Sequence, residues 1–223
     1  MQKVKLLILV LVISGCDMLY HMQNVGSGYT RINLKPMYGG VKKDKHYQKA
    51  DKDFLEHCDK IFPSRDTAAK AYVGIAWKYY NKKQYGAAMR RFNQAWLLDS
   101  LNADVYWGFG SIQGERGKFK ESVDLLNRSI ELNPKNPIVW QSISISYGNL
   151  FFYTKDSTYL QKNNLALRES NRLYKSKNAQ VLGQLVTSYY VMNKRDSVIK
   201  YTNKADALDP SVVISQVREY IDQ

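Results

Sequence analysis

Cysteine and histidine are scarce, two and three residues in a chain of 223. Two cysteines cannot build the disulfide framework of a small secreted domain. The histidines, His21, His46 and His57, all precede the long periodic part of the chain. His57 and Cys58 adjoin, but no second ligand pair accompanies them, so a zinc site is not expected. No HExxH, CxxC, Walker loop, glycine-rich dinucleotide turn or nucleophile elbow occurs. With no catalytic constellation the chain reads as a non-enzyme, without cofactor or metal. Long apolar runs are missing too: the longest, residues 6–13, is far short of the roughly 20 residues a membrane-spanning helix needs. Acidic residues are outnumbered 20 to 33 by lysine and arginine, a formal charge of +13. That surplus suits an anionic membrane surface or an acidic partner before nucleic acid, or plain solubility, since bases and acids are interspersed. The 44% hydrophobic and 24% charged composition is that of a folded chain.

The short apolar run has a purpose of its own. Lys3 and Lys5 precede it, and Ile13-Ser14-Gly15-Cys16 ends it, which together make a secretory signal over residues 1–15. The tetrapeptide also resembles a bacterial lipoprotein box. That resemblance implies cleavage before Cys16, diacylglycerol on its sulfur and a further acyl chain, such as palmitate, on the new N-terminus. Two or three chains anchor stably where one holds only marginally. The implied location is the bacterial cell envelope, the outer membrane more than the inner, with the folded part outside the cytoplasm. An ordinary signal peptide with an incidental cysteine is the alternative. Cys58 would then be the remaining thiol. Its helical spacing with Tyr47, Ala50, Phe54 and Ile61 marks it as a buried small apolar residue.

Residues 16–41 lack periodicity and read as a flexible tether. Residues 42–68 hold an amphipathic helix, 47–61, closed by Phe62-Pro63. Its apolar stripe should cap the periodic part of the chain.

From residue 69 one pattern recurs at an offset of 34. Tyr72, Ile75, Ala76, Tyr79, Ala88, Phe92 and Ala95 are matched by Tyr106, Phe109, Gly110, Gln113, Ser122, Leu126 and Ser129. Large, small and aromatic residues at this period resemble the tetratricopeptide-repeat superfamily. Four copies are expected: 69–102, 103–136, 137–178 with an insertion, and 179–212, with a capping helix after them at 213–223. The resemblance implies an all-α, right-handed superhelical solenoid of antiparallel helix hairpins, capped at both ends. In the third copy the second helix is expected near 160–175, so residues 150–159 either prolong the first helix or form a loop at one edge.

In that superfamily the first helix of each hairpin lines a concave groove. The positions implied here are Val73, Gly74, Trp77, Tyr80 and Asn81; Trp107, Gly108, Ser111 and Glu115; Gln141, Ser142 and Ile145; and Gly183, Gln184, Thr187 and Tyr190. Val73, Trp77, Gly108 and Ile138 stand where one subclass has a lysine and asparagine clamp for a C-terminal carboxylate, so no such clamp is expected. Trp77 and Trp107 either contact a ligand or pack, between neighbouring first helices or under the N-terminal helix. Gly108 and Gly114 weaken a helix by roughly 0.5–1 kcal/mol each relative to alanine. A groove floor kept low for an approaching chain would explain them. The function implied is a lipid-anchored scaffold or adaptor that binds an envelope protein or peptide. The alternative is a carbohydrate-binding surface lipoprotein stacking sugars on Trp77, Trp107 and Tyr190.

Overall fold

The computed structural model describes residues 32–223. The leader, Cys16 and residues 17–31 of the expected tether lie outside the described residues. Ten α-helices and no strand occur among the described residues. They are α1 Lys45–Ile61, α2 Arg65–Asn81, α3 Tyr85–Leu98, α4 Ala103–Glu115, α5 Phe119–Leu132, α6 Pro137–Thr154, α7 Ser157–Leu173, α8 Ala179–Val191, α9 Arg195–Asp206 and α10 Ser215–Asp222. Helices α2 to α9 pair into four successive hairpins, stacked as an all-α helical solenoid.

Side chains set where the hairpins begin. Ser64, Asn102, Asn136 and Asn178 each accept a backbone N–H at the start of a hairpin's first helix, worth about 1 kcal/mol per cap. In the first, second and fourth hairpins the turn between the two helices crosses the left-handed region at Lys83 (φ 57°), Gly117 (φ 73°) and Asn193 (φ 53°). Only glycine adopts that conformation without steric cost. Lys83→Gly is therefore expected to stabilise the fold by about 1 kcal/mol, read as a rise in Tm of a few degrees.

Small residues let each pair of helices close up. A Cβ on Gly110 would lie 2.6 Å from Leu126 Cγ and 3.1 Å from the Ser122 carbonyl. The serines do more than save space. Ser122 donates to the Gly110 carbonyl, Ser129 to that of Ala103 and Ser170 to that of Pro137, at 2.8–2.9 Å. Each bond ties a second helix to its own first helix, satisfying a hydroxyl that burial would otherwise penalise.

Helix α1 caps the array: Phe54 packs edge-on against Tyr72 with centroids 5.4 Å apart, and Cys58 is buried beside them. At the other end, Val213 and Val217 join Leu182, Val186, Val198 and Ala205 in one core. The C-terminal helix starts at Ser215, after a short 3-10 turn at Pro210–Val212.

Two expectations need adjusting. The residues after Leu150 prolong α6 to Thr154, where Lys155 turns through the left-handed region (φ 58°) and Asp156 caps α7. So α7 starts at Ser157, ahead of the expected 160. With 18 residues α6 is about 27 Å long, about one and a half turns longer than the 13-residue α4.

The second correction concerns the tether. Residues 32–40 are not a loose chain. They form a strap against α3 and the end of α4. The buried side chain of Asn93 donates to the carbonyls of Asn33 (3.0 Å) and Lys35 (2.9 Å) and accepts from the Tyr38 N–H (3.3 Å). Arg116 donates to the Leu34 carbonyl at 2.9 Å. The strap then winds through Met37 (φ 52°) and Tyr38 (φ 56°), left-handed conformations that each cost on the order of 1 kcal/mol. Burial of Tyr38 offsets this, with the Lys43 ammonium 3.2 Å from the ring centroid and bonded to Asp51 of α1.

Candidate functional site

The first helices, α2, α4, α6 and α8, lie side by side and line one face of the stack. Along α6, Ile138, Ile145 and Phe152 recur every seven residues and stay 42, 52 and 64% exposed, a heptad stripe left partly open on one helix face. On either side of that stripe is a cavity.

The cavity between α4 and α6, about 300 Å³, is the more polar of the two. Tyr80, Ser111, Glu115, Ser142, Ser146 and Asn149 line it, with Phe119 at its wall. Tyr80 and Tyr85 each donate a hydroxyl hydrogen to Glu115, to Oε1 at 3.2 Å and Oε2 at 2.9 Å. Burial first, then the neighbouring carboxylate, pushes the Tyr80 hydroxyl well above the ordinary tyrosine value, so it stays protonated and donates. Its bond to Glu115 is the first cause of a rise at Tyr85.

The cavity between α6 and α8, about 420 Å³, is apolar and has no charged residue in its lining. Ile145, Phe151, Phe152, Leu160, Val191 and Val212 supply most of its walls. The Gln141 amide donates to the Gln184 oxygen at 3.1 Å, bridging α6 to α8. Gly183 is buried, and its Cβ position lies 2.5 Å from the Val212 carbonyl, so the 3-10 turn closes the groove there.

The sequence-derived site residues divide accordingly. Tyr80, Ser111, Glu115, Ser142, Ile145, Gly183, Gln184 and Thr187 line the cavities. Gln141 bridges beside them. Trp77 and Trp107 are half-buried against each other, centroids 4.2 Å apart, and Trp77 also meets Tyr80 and Phe92 edge-on. The Trp107 indole donates to Ser142 Oγ at 3.1 Å. The tryptophans thus seal the seam from α2 to α6, the packing alternative, and are not open platforms. Tyr190 is edge-on to Tyr220 of the C-terminal helix, and Asn81 lies exposed beyond both cavities.

Gly108 requires a correction. It is no groove floor but is buried against α3, where a Cβ would fall 2.1 Å from Phe92 Cζ. Gly114 does line the polar cavity, where a Cβ would meet Ser122 Oγ at 3.4 Å.

Asn149 and Val191 were not anticipated, although they stand at the same repeat position as Glu115 once the insertion is allowed for. Aligning the copies position by position would have found both.

No protein-family model matches the sequence, and no curated protein does. Solved structures do match. The Thermus thermophilus protein TTC0263, described as a thermophilic TPR protein, superposes with a TM-score of 0.55 at 16% identity, over 69% of this chain and 79% of that one. The chain has a tetratricopeptide-repeat fold. Similar to it at the same level are MamA (TM-score 0.55, 16% identity, 77% of this chain and 98% of that one) and Pseudomonas aeruginosa PilF (0.58, 18%, 70% and 72%). At these identities the likeness is one of architecture. Within this fold the third hairpin is set apart by the lengthened α6 and the pair of unlike cavities beside it.

Proposed function

We propose that the chain is a non-catalytic scaffold that binds a segment of another protein along the face built by α4, α6 and α8, and that Cys16 anchors it in a bacterial envelope membrane. The exposed Ile138, Ile145 and Phe152 stripe carries the binding reading. A contiguous apolar surface flanked by hydrogen-bonding groups costs solubility unless a partner covers it. The anchor rests on residues 1–16 alone. Among the described residues no helix is long and apolar enough to cross a membrane. The carbohydrate reading loses its motivation, because Trp77, Trp107 and Tyr190 spend their ring faces and edges on one another's neighbours.

The binding test is selection of displayed random peptides on the detergent-solubilised full-length chain. Ile145→Glu should abolish capture, and Leu165→Glu, similarly exposed but on α7, should leave it intact. Equal capture by both variants would remove the groove from consideration. For the anchor, radiolabelled palmitate fed to a bacterial host should label wild type and not Cys16→Ala; equal labelling would refute lipidation at that cysteine.

A further inference from the structure

Resting on the groove reading, we infer that the α4–α6 cavity is a cation pocket, and that the bound segment places a lysine or arginine there three residues from a large apolar side chain seated between α6 and α8. Glu115 is the one charged side chain among the residues lining the two cavities. It is the last residue of α4, where the carbonyl end of the helix disfavours an anion. Among the described residues no lysine or arginine pairs with it. Two tyrosine hydroxyls hold it there instead, one on each oxygen. An ionised carboxylate offers about four lone-pair sites, so two acceptor positions remain for a ligand.

The walls fit the same guest. Tyr80 and Phe119 give the cavity aromatic surface, and Tyr85 lies tilted 5.4 Å from Tyr80. An ammonium or guanidinium gains from aromatic faces as well as from a carboxylate. The remaining lining is mostly hydroxyl and amide groups, which can accept a cation's other hydrogens. In a chain of charge +13, a lone uncompensated acid on the groove face selects for positive charge in a partner.

The helices set the spacing. Ile145 belongs to both cavities, which occupy opposite sides of α6. Packed neighbouring helices stand about 8–10 Å apart, so the cavity centres are about that distance from each other. A polyproline II segment repeats every three residues with about 3.1 Å rise, putting residues i and i+3 on one side about 9 Å apart. A basic residue and an apolar residue three positions apart therefore reach both cavities at once.

The test sequences peptides selected from a random display library by the detergent-solubilised full-length chain, then by Glu115→Gln and Glu115→Lys, each shown by circular dichroism to keep wild-type helicity. Wild type should enrich lysine or arginine at one position and a large apolar residue three away. For a selected peptide, Glu115→Gln should weaken binding about tenfold, as expected for loss of a charge-assisted hydrogen bond. Glu115→Lys should exchange the preference for aspartate or glutamate at that position. Peptides selected without basic enrichment, or a preference unmoved by Glu115→Lys, would overturn the cation pocket and leave the groove reading standing. Selection of no peptide by wild type would overturn both.

Discussion

Gly108→Ala should cost about 1–3 kcal/mol of stability, the range for overpacking a well-filled core, and lower Tm by several degrees in a domain of this size. The reason is geometric. A Cβ there would lie 2.1–2.5 Å from three atoms of the Phe92 ring, itself wedged between Trp77 and Phe109. Phe92 can retreat only by pushing those rings. The control sits six residues away: Gly114→Ala meets its nearest neighbour at 3.4 Å and should instead stabilise by about 0.5–1 kcal/mol through improved helix propensity. Thermal melts of the two variants should move in opposite directions. A neutral or stabilising Gly108→Ala would mean that Phe92 does not pack where the structure places it.

Asn93→Ala should release the strap. Three hydrogen bonds disappear at once, two carbonyls and the Tyr38 N–H lose that partner, and the cost is about 2–4 kcal/mol on typical values for bonds of this kind. The left-handed turn at Met37 and Tyr38 would then lose part of what offsets its strain. Limited trypsin digestion is the direct reading, since Arg31 precedes the strap and Lys42 and Lys43 follow it. Cleavage there should be rapid in the variant and slow in wild type, with the helical array surviving in both. Equal rates would mean that Asn93 does not hold the segment.

The architecture was legible because its rules are repetitive. Ala76 and Gly110, Phe92 and Leu126, and Ala95 and Ser129 stand at corresponding positions 34 residues apart, and side chains that meet across a hairpin must recur at the repeat period. Gly108 was misread because the period fixes which helix face a residue is on, not how far a neighbouring ring reaches; the Phe92 ring, edge-on to Trp77, fills the space a Cβ on Gly108 would need. The strap was invisible for a different reason. Its partners on α3 and α4 bind mostly main-chain carbonyls, which every sequence offers, so neither composition nor spacing could reveal it. The site was half legible: Tyr80, Ser111 and Glu115 can be placed from repeat position. The apolar cavity depends on the extra turns of α6, which the aromatic run after Leu150 allowed as either helix or loop.

The clasped strap also sets a mechanical boundary. A pull arriving along the chain from its N-terminal side meets the Asn33 and Lys35 carbonyls, held by Asn93, before it reaches α1 at Lys45. Load therefore enters through α3 and, by way of Arg116, the end of α4, and is shared between two hairpins. Helix α1, held to the array mainly by Phe54, Cys58 and Phe62, would otherwise peel first. Traction that would unzip an end-loaded solenoid from its terminus is instead taken in shear across α3 and the end of α4.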